Sequence, residues 1–353
     1  MNWVTTTDLK RFARQNESRS ILAYYIRELI TATSKKNVIS KIDFPYKEDV
    51  NNSGLDGELI CCESTYYIPE GHSVWEFGQS SKIKGKANSD YEKRTNKPEG
   101  YDPLNSTFIF VTAHAYRNKG IWKQEKISLK QWKDVRFYDA SDLERWFNES
   151  PVVSCQLAKE GMGSFPSTVK ALDLFWDEWC CTRTITLNGK ILLAGRDFEK
   201  NYTKQFLQDL IVDPGKSKRL VVKSNSNEEV IAFICAVIET MDRDEKADYY
   251  SKALVIKDGE NYDKIINKKS PHIIINSTNN LISVNYGCRE NHKVILPVSN
   301  NELISPDADI ELAKLEKETF INELKDLDIN HEQCEKYFEE TGGNLYNLKL
   351  RLI

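Results

Sequence analysis

The sequence predicts an α/β fold in two domains, a small mixed sheet flanked by helices and then a parallel sheet that ends in a helical segment. Three observations carry this expectation. The chain has 353 residues, and at ~100–200 residues per domain that length favours two cores over one. Its hydrophobic content of 40% and aromatic content of 10% belong to a chain that folds. Short apolar runs alternate with amphipathic stretches, the pattern of strands joined through helices.

The first domain is expected over residues 1–160. Residues 5–32 read as an opening helix, capped by Thr7 or Asp8, with Ile21, Leu22, Tyr25, Ile26, Leu29 and Ile30 at helical spacing. Val38 to Phe44 is extended. The turn Asn51-Asn52-Ser53-Gly54 then delivers the chain into a strand from Leu55 to Cys62, and Ser73 to Gly78 forms the next strand. Lys82 to Arg94 is helical. Thr107 to Thr112 is a buried strand, Trp122 to Trp132 is amphipathic, and Val135 to Tyr138 is another strand. Ser141 and Glu144 have the spacing of a capping box that opens a further helix. Strand, helix, strand and helix in this order imply a βαβ unit.

Residues 161–166 form the linker, rich in Gly and Ser. The second domain spans 167–300 and begins with a Trp-rich helix, Val169 to Cys181. Strands are expected at Ile191–Ala194, Arg219–Val222, Ala253–Ile256, Ile273–Ile275 and Val294–Leu296, with a helix from Glu228 to Glu239. Continuous apolar strands of this length suit a parallel sheet covered on both faces. Residues 301–353 are charged and helical, interrupted at Gly342-Gly343.

No run approaches the ~18 apolar residues of a membrane span, and the opening Met1-Asn2-Trp3-Val4-Thr5 lacks the features of a secretory signal. The eight cysteines show no CxxC spacing, which reads as reduced thiols in a cytoplasmic protein. Net charge is −4, but it is uneven: residues 1–160 carry 24 Lys+Arg against 22 Asp+Glu, and the remainder 25 against 31. Basic side chains concentrate from Lys82 to Lys97, six against two acidic, and from Arg117 to Arg136, seven against two. Such patches can follow a phosphate backbone even on an acidic protein, although a solvated helix face has the same composition.

Metal-dependent cleavage of a phosphodiester needs carboxylates converging from adjacent strands, with a lysine nearby. Asp56 starts a strand after a turn. Glu76 lies within an apolar strand between Trp75 and Phe77, where a carboxylate is costly to bury unless it binds metal or is paired. Glu28 on the opening helix is a candidate third member. Each has a structural alternative: a turn residue at Asp56, a lysine pair at Glu76, a solvated helix position at Glu28. His72 lies near Glu76 in sequence and reads as a turn residue, and the histidines as a set do not cluster.

Ile42-Asp43-Phe44-Pro45, Gly54-Leu55-Asp56-Gly57, Pro69 to Gly78, Lys86 to Thr95 and Phe108 to Thr112 form a distinctive series. It resembles the N-terminal region of large bacterial STAND-type proteins of antiphage defence. There, a nuclease domain of the PD-(D/E)xK superfamily precedes a P-loop-like domain. The resemblance implies a restriction-endonuclease-like fold and DNA cleavage with Mg²⁺ or Mn²⁺, Asp56 and Glu76 holding the metal. It departs at one position: the superfamily lysine would stand two residues after Glu76, where this chain has Gly78. Lys82, Lys84 and Lys86 are candidates to replace it, and Lys86, within the recognisable block, is preferred as the third catalytic residue. Lys82, Lys93 and Arg94 are candidate nucleic-acid contacts; for Lys93 and Arg94 the alternative is pairing with Asp90 and Glu92. The other reading of the domain is a dead nuclease that only binds.

A nucleotide-hydrolysing domain needs a glycine-rich phosphate loop between a strand and a helix. The turn after Val222 reads Lys223-Ser224-Asn225-Ser226-Asn227-Glu228-Glu229, with no glycine and two glutamates at the helix start. Gly215-Lys216-Ser217 precedes a strand instead of following one and reads as a plain turn. Nucleotide binding is therefore not expected, and the second domain is expected to regulate through self-association or a partner protein.

Overall fold

The computed structural model describes residues 2–15, 18–35, 37–44, 54–182, 185–209, 218–268, 270–278, 292–299 and 307–353. Residues Asn51-Asn52-Ser53 and the Gly215-Lys216-Ser217 fragment lie outside the described residues. The chain divides into two compact units, Met1–Phe165 and Pro166–Ile353.

The first unit opens with two helices in place of the single one expected over 5–32, α1 (Thr6–Phe12) and α2 (Ser18–Thr33). Leu9 and Phe12 anchor α1 in the core, whereas the run Arg14-Gln15-Asn16-Glu17 offers no apolar residue to extend that face. The cap is Thr5, not Thr7 or Asp8. Its side chain accepts the Asp8 N–H, and the Asp8 carboxylate accepts the Thr5 N–H in return.

Five strands follow in sheet order β1 (Ile39–Asp43), β2 (Gly57–Cys61), β3 (Gly71–Phe77), β4 (Ser106–Val111) and β5 (Asp134–Tyr138). The first three pair antiparallel and the last three parallel. Parallel neighbours need a crossover, and α3 (Ile83–Asn96) and α4 (Lys119–Ser128) supply them. Alternation along β3 and β4 sends Trp75, Phe77, Ile109 and Val111 to one face, against α2 and the Leu143 and Trp146 side chains. Val74, Phe108 and Phe110 point to the other, against Ala87 and Tyr91 of α3 and Trp122 of α4. The unit therefore has three layers, helix, sheet and helix.

The last helices of this unit are α5 (Ala140–Glu149) and α6 (Pro151–Lys159). The capping box of α5 is formed by Asp139 and Asp142, two residues before the expected Ser141 and Glu144. Asp139 also receives the Tyr116 N–H at 2.9 Å and the Lys119 ammonium at 2.6 Å. Glu144 instead takes Asn2 Nδ2 at 2.7 Å and the Thr6 N–H at 3.0 Å, tying down the first residues.

The second unit contains β6 (Val169–Ala171), α7 (Leu172–Cys180), α8 (Gly189–Leu193), α9 (Asp197–Gln208), β7 (Lys218–Ser224), α10 (Asn227–Glu239), α11 (Arg243–Tyr250), β8 (Ala253–Ile256), α12 (Gly259–Ile266), β9 (Ile273–Asn276), β10 (Lys293–Ser299), β11 (Ile310–Glu311), α13 (Lys317–Lys325), α14 (His331–Thr341) and α15 (Leu345–Leu352). Its sheet order is β11-β7-β10-β9-β8-β6, parallel except for β6, which runs antiparallel to β8 at the edge.

Two expectations fail here. Val169 to Ala171, expected as helix, pairs as the edge strand. Ile191 to Ala194, expected as a strand, belongs to α8 and its C-cap; so short an apolar run has no periodicity to tell the two apart. Helix α10 is buried from Glu229 to Ile238 on every side, which is why its sequence is apolar all round. Phe320, Leu324, Leu345, Leu348 and Leu352 of the C-terminal helices join the same core. Helix α14 ends at Gly342, whose φ of 59° is the left-handed cap that glycine adopts without steric cost. Among the described residues no helix is long and apolar enough to cross a membrane, and the described cysteines are all free thiols.

Candidate functional site

Strands β2 and β3 pair with Gly57 opposite Trp75 and Glu58 opposite Val74. Carried one residue further, that register sets Asp56 across from Glu76. The Asp56 carboxylate accepts the Phe77 N–H at 3.0 Å. Arg19, in the first turn of α2, reaches the same carboxylate and sets Nη2 at 2.6 and 2.8 Å from its two oxygens.

Glu76 shares the face of Val74 and meets α3. Its partner is Arg94 in the last turn of that helix, whose Nε donates to Glu76 Oε1. Arg94 also donates Nη1 to Glu99 at 2.8 Å and Nη2 to the Gly54 carbonyl. With its side chain 1% exposed and those donors spent, Arg94 cannot be the phosphate contact expected of it. It is the structural partner of Glu76, and it pairs with neither Asp90 nor Glu92.

One turn earlier on α3 lies Asp90, 4% exposed, with the Lys86 ammonium 2.6 Å from its Oδ1. Among the described residues Asp90 Oδ2 has no hydrogen-bond partner. Burial pushes the Glu76 carboxyl up to about 8, and the charges of Asp56 and Asp90 add to the shift while Arg94 opposes it. Asp90 is raised for the same reasons, burial first and then Asp56, against Lys86 and Arg19. Burial works against the charge of Arg19, but Asp56, Glu76 and Asp90 outweigh it and hold that guanidinium protonated. The centre thus brings three acidic side chains, Asp56, Glu76 and Asp90, together with three cations, Arg19, Arg94 and Lys86.

Lys86 comes to this centre because Gly78 leaves room. A Cβ at position 78 would strike the Phe110 ring and lie 3.0 Å from Lys86 Cγ. The stem of Lys86 therefore crosses the place where a side chain two residues after Glu76 would start.

The other candidates stand apart. Glu28 is nine residues beyond Arg19 on α2, ~13 Å along the axis, and pairs with Arg27 at 3.3 Å. The third carboxylate beside Asp56 and Glu76 is Asp90, not Glu28. Lys82, the N-cap residue of α3, and Lys93 within the helix are exposed, eleven residues apart and so near one face at ~100° per residue. Lys84 lies 3.6 Å from Glu125. His72 bridges Ser106 Oγ at 2.8 Å and Glu58 at 2.9 Å, a cross-strand role remote from Glu76.

Arg19 and Asp90 were not singled out in the sequence. Asp90 was legible: Lys86, Asp90 and Arg94 repeat every fourth residue and so share one helix face. Arg19, 37 residues from Asp56, carried no local signal.

A divalent ion needs carboxylate oxygens that are free to turn to it. Here the oxygens of Asp56 face Arg19 and Glu76 is held by Arg94. Among the described residues no three His, Cys, Asp or Glu side chains are placed to hold a metal. As arranged, the centre does not fit one.

In the second unit, β7 ends at Ser224 and α10 is capped by Ser226, whose side chain accepts the Glu228 N–H. Glu229, 2% exposed, faces the Arg196 guanidinium at 2.7 Å, and Arg196 also holds the Leu192 and Ala313 carbonyls at 3.1 and 2.5 Å. A buried ion pair therefore stands at the helix start where a phosphate loop would put its anion. Two of the five histidines come together: His272 and His292 stack with centroids 5.4 Å apart.

No known family model matches this chain, and no curated protein matches it.

Proposed function

We propose that the first unit is a nuclease-type domain acting on DNA, of restriction-endonuclease-like build, and that the second is its regulatory, P-loop-like partner without nucleotide hydrolysis. The setting implied by the resemblance is bacterial antiphage defence, with self-association or a partner protein as the regulator. One observation carries the reading: Asp56 and Glu76 lie opposite each other on neighbouring strands, and Asp90 and Lys86 complete the set from one helix. The exposed Lys82 and Lys93 offer that same helix to a phosphate backbone. For the second unit, support comes from β7, which lies between β10 and β11 and leads at its carboxyl end into α10. Mg²⁺ or Mn²⁺ is the cofactor implied for the first unit, although the present arrangement does not accept it.

That misfit favours a second reading, a module that binds DNA without cutting. The two separate on supercoiled plasmid with Mn²⁺. The nuclease reading expects cleavage that disappears in Glu76→Ala. The binding module expects a gel shift without cleavage, weakened by Lys82→Glu with Lys93→Glu and strongly salt-dependent. Cleavage that survives Glu76→Ala unchanged would remove this centre from the reaction.

A further inference from the structure

The second unit holds a cleft of its own at the carboxyl end of β8, with a volume of ≈ 170 Å³. Ser167 and Thr168 lead into β6 there, because that strand runs antiparallel to β8, and the Thr168 carbonyl accepts the Lys257 N–H at 2.8 Å. Helix α7 supplies Phe175, Glu178 and Trp179, α10 supplies Glu228, and α15 supplies Lys349. Phe175 and Trp179, whose rings stack with centroids 6.1 Å apart, form an apolar wall together with Val255. The carboxyl ends of the strands are where open α/β sheets take up ligands. A cleft of this size falls below the ~300–1,000 Å³ that drug-sized ligands occupy and lies near the ~150 Å³ that accepts one benzene ring.

Its charges do not cancel. Lys170 pairs with Glu178 at 2.5 Å and Lys257 with Glu228 at 3.5 Å, both pairs open to solvent. Lys349 remains. Its side chain is buried and donates to the Glu178 carbonyl at 2.8 Å and to the Trp179 carbonyl, with Nζ 4.9 Å from the centroid of the Trp179 ring. Two of the three ammonium donors are thus spent on carbonyls, and among the described residues no carboxylate pairs with Lys349. Burial lowers its hold on the proton, and the nearby Cys180 and Glu228 restore only part of it. A buried ammonium without a counter-ion is costly, and a monoanion in the cleft meets both the charge and the third donor.

We propose that this cleft binds a small planar organic anion, a single aromatic ring bearing a carboxylate, with the ring against Phe175, Trp179 and Val255 and the carboxylate on Lys349. The site lies within the second unit and owes nothing to the nuclease reading of the first.

The test is fluorine resonance of three probes titrated with the full chain. 4-Fluorobenzoate is expected to bind saturably with a Kd on the order of 0.1–1 mM, the range open to so small a ligand. 4-Fluorobenzamide keeps the ring and loses the charge, and it should bind at least about tenfold more weakly. Trifluoroacetate, an anion without a ring, should not saturate. Lys349→Met should lose the 4-fluorobenzoate site. Ser167→Trp, a change at an exposed lining position that leaves the core untouched, should block it as well. Absence of saturable 4-fluorobenzoate binding by the parent would overturn the proposal. So would equal affinity for the amide or for trifluoroacetate, or parent-like binding by the folded variants.

Discussion

A methyl group at position 78 would collide with the Phe110 ring and press on the Lys86 stem. Phe110, on β4, is fully buried in the cluster that the sheet forms with α3 and α4. Gly78→Ala should therefore cost about 1–3 kcal/mol, the usual penalty of overpacking a filled core. Gly78→Lys, which places a lysine two residues after Glu76, should cost at least as much and displace Lys86. Urea unfolding checks both, and a Gly78→Lys variant as stable as the parent would remove the argument that Lys86 owns this space. Glu76 was legible as a charge in an apolar strand, since alternation along β3 forces it to one face. That its partner is an arginine was not legible, because the pairing needs α3 folded across the sheet before Arg94 reaches strand β3.

At the scale of elements, β9 and β10 each begin beside a histidine, His272 and His292, buried at 3% and 0% exposure. The His272 N–H donates to His292 Nδ1 at 3.1 Å, so that nitrogen must be unprotonated. Burial pushes His272 well below its ordinary value, helped by His292, Lys268 and Lys252. His292 is lowered too, by burial, against the carbonyls of Lys268 and Ile266. The unfolded chain takes up protons near pH ~6.5, where the folded one refuses them. The stability these histidines contribute is therefore complete above that pH and is lost as the pH falls below it. Denaturant unfolding at pH 7.5 and 5.5 should show a marked loss in the parent and a smaller one in His272→Leu. Equal losses would mean that other groups set the acid sensitivity.

The same elements mark what the sequence disclosed and why it stopped. The five strands of the first unit were legible as extended or apolar runs, though their order in the sheet was not, and α10 as an apolar stretch too long for a strand. Helix α8 and strand β6 escaped because four or three residues carry no period. The cap of α5 was misplaced because two acceptor–acid pairs with the same spacing compete, and only Asp139 also has Tyr116 and Lys119 to hold.

For the second unit as a whole, the Arg196–Glu229 pair joins segments far apart in the chain. Arg196 follows α8, Glu229 opens α10, and the Ala313 carbonyl comes just after β11. Both side chains are at most 3% exposed. Burial pushes Glu229 up while Arg196 pulls it down, so the carboxylate depends on the guanidinium to remain charged. Removing one partner strands a buried charge, which costs about 3–5 kcal/mol, whereas replacing both with apolar side chains of similar volume is often neutral. Arg196→Met should therefore destabilise by that amount, and Arg196→Met/Glu229→Leu should recover most of it, as measured by denaturant unfolding. The recovery decides between two roles for the pair. If the double variant regains stability, the pair is a structural plug at the carboxyl edge of the sheet, and the second unit holds its shape without an anion there. If the double variant stays as unstable as Arg196→Met, the three bonds of Arg196 to Leu192, Glu229 and Ala313 are what fasten α8, α10 and the segment after β11 together.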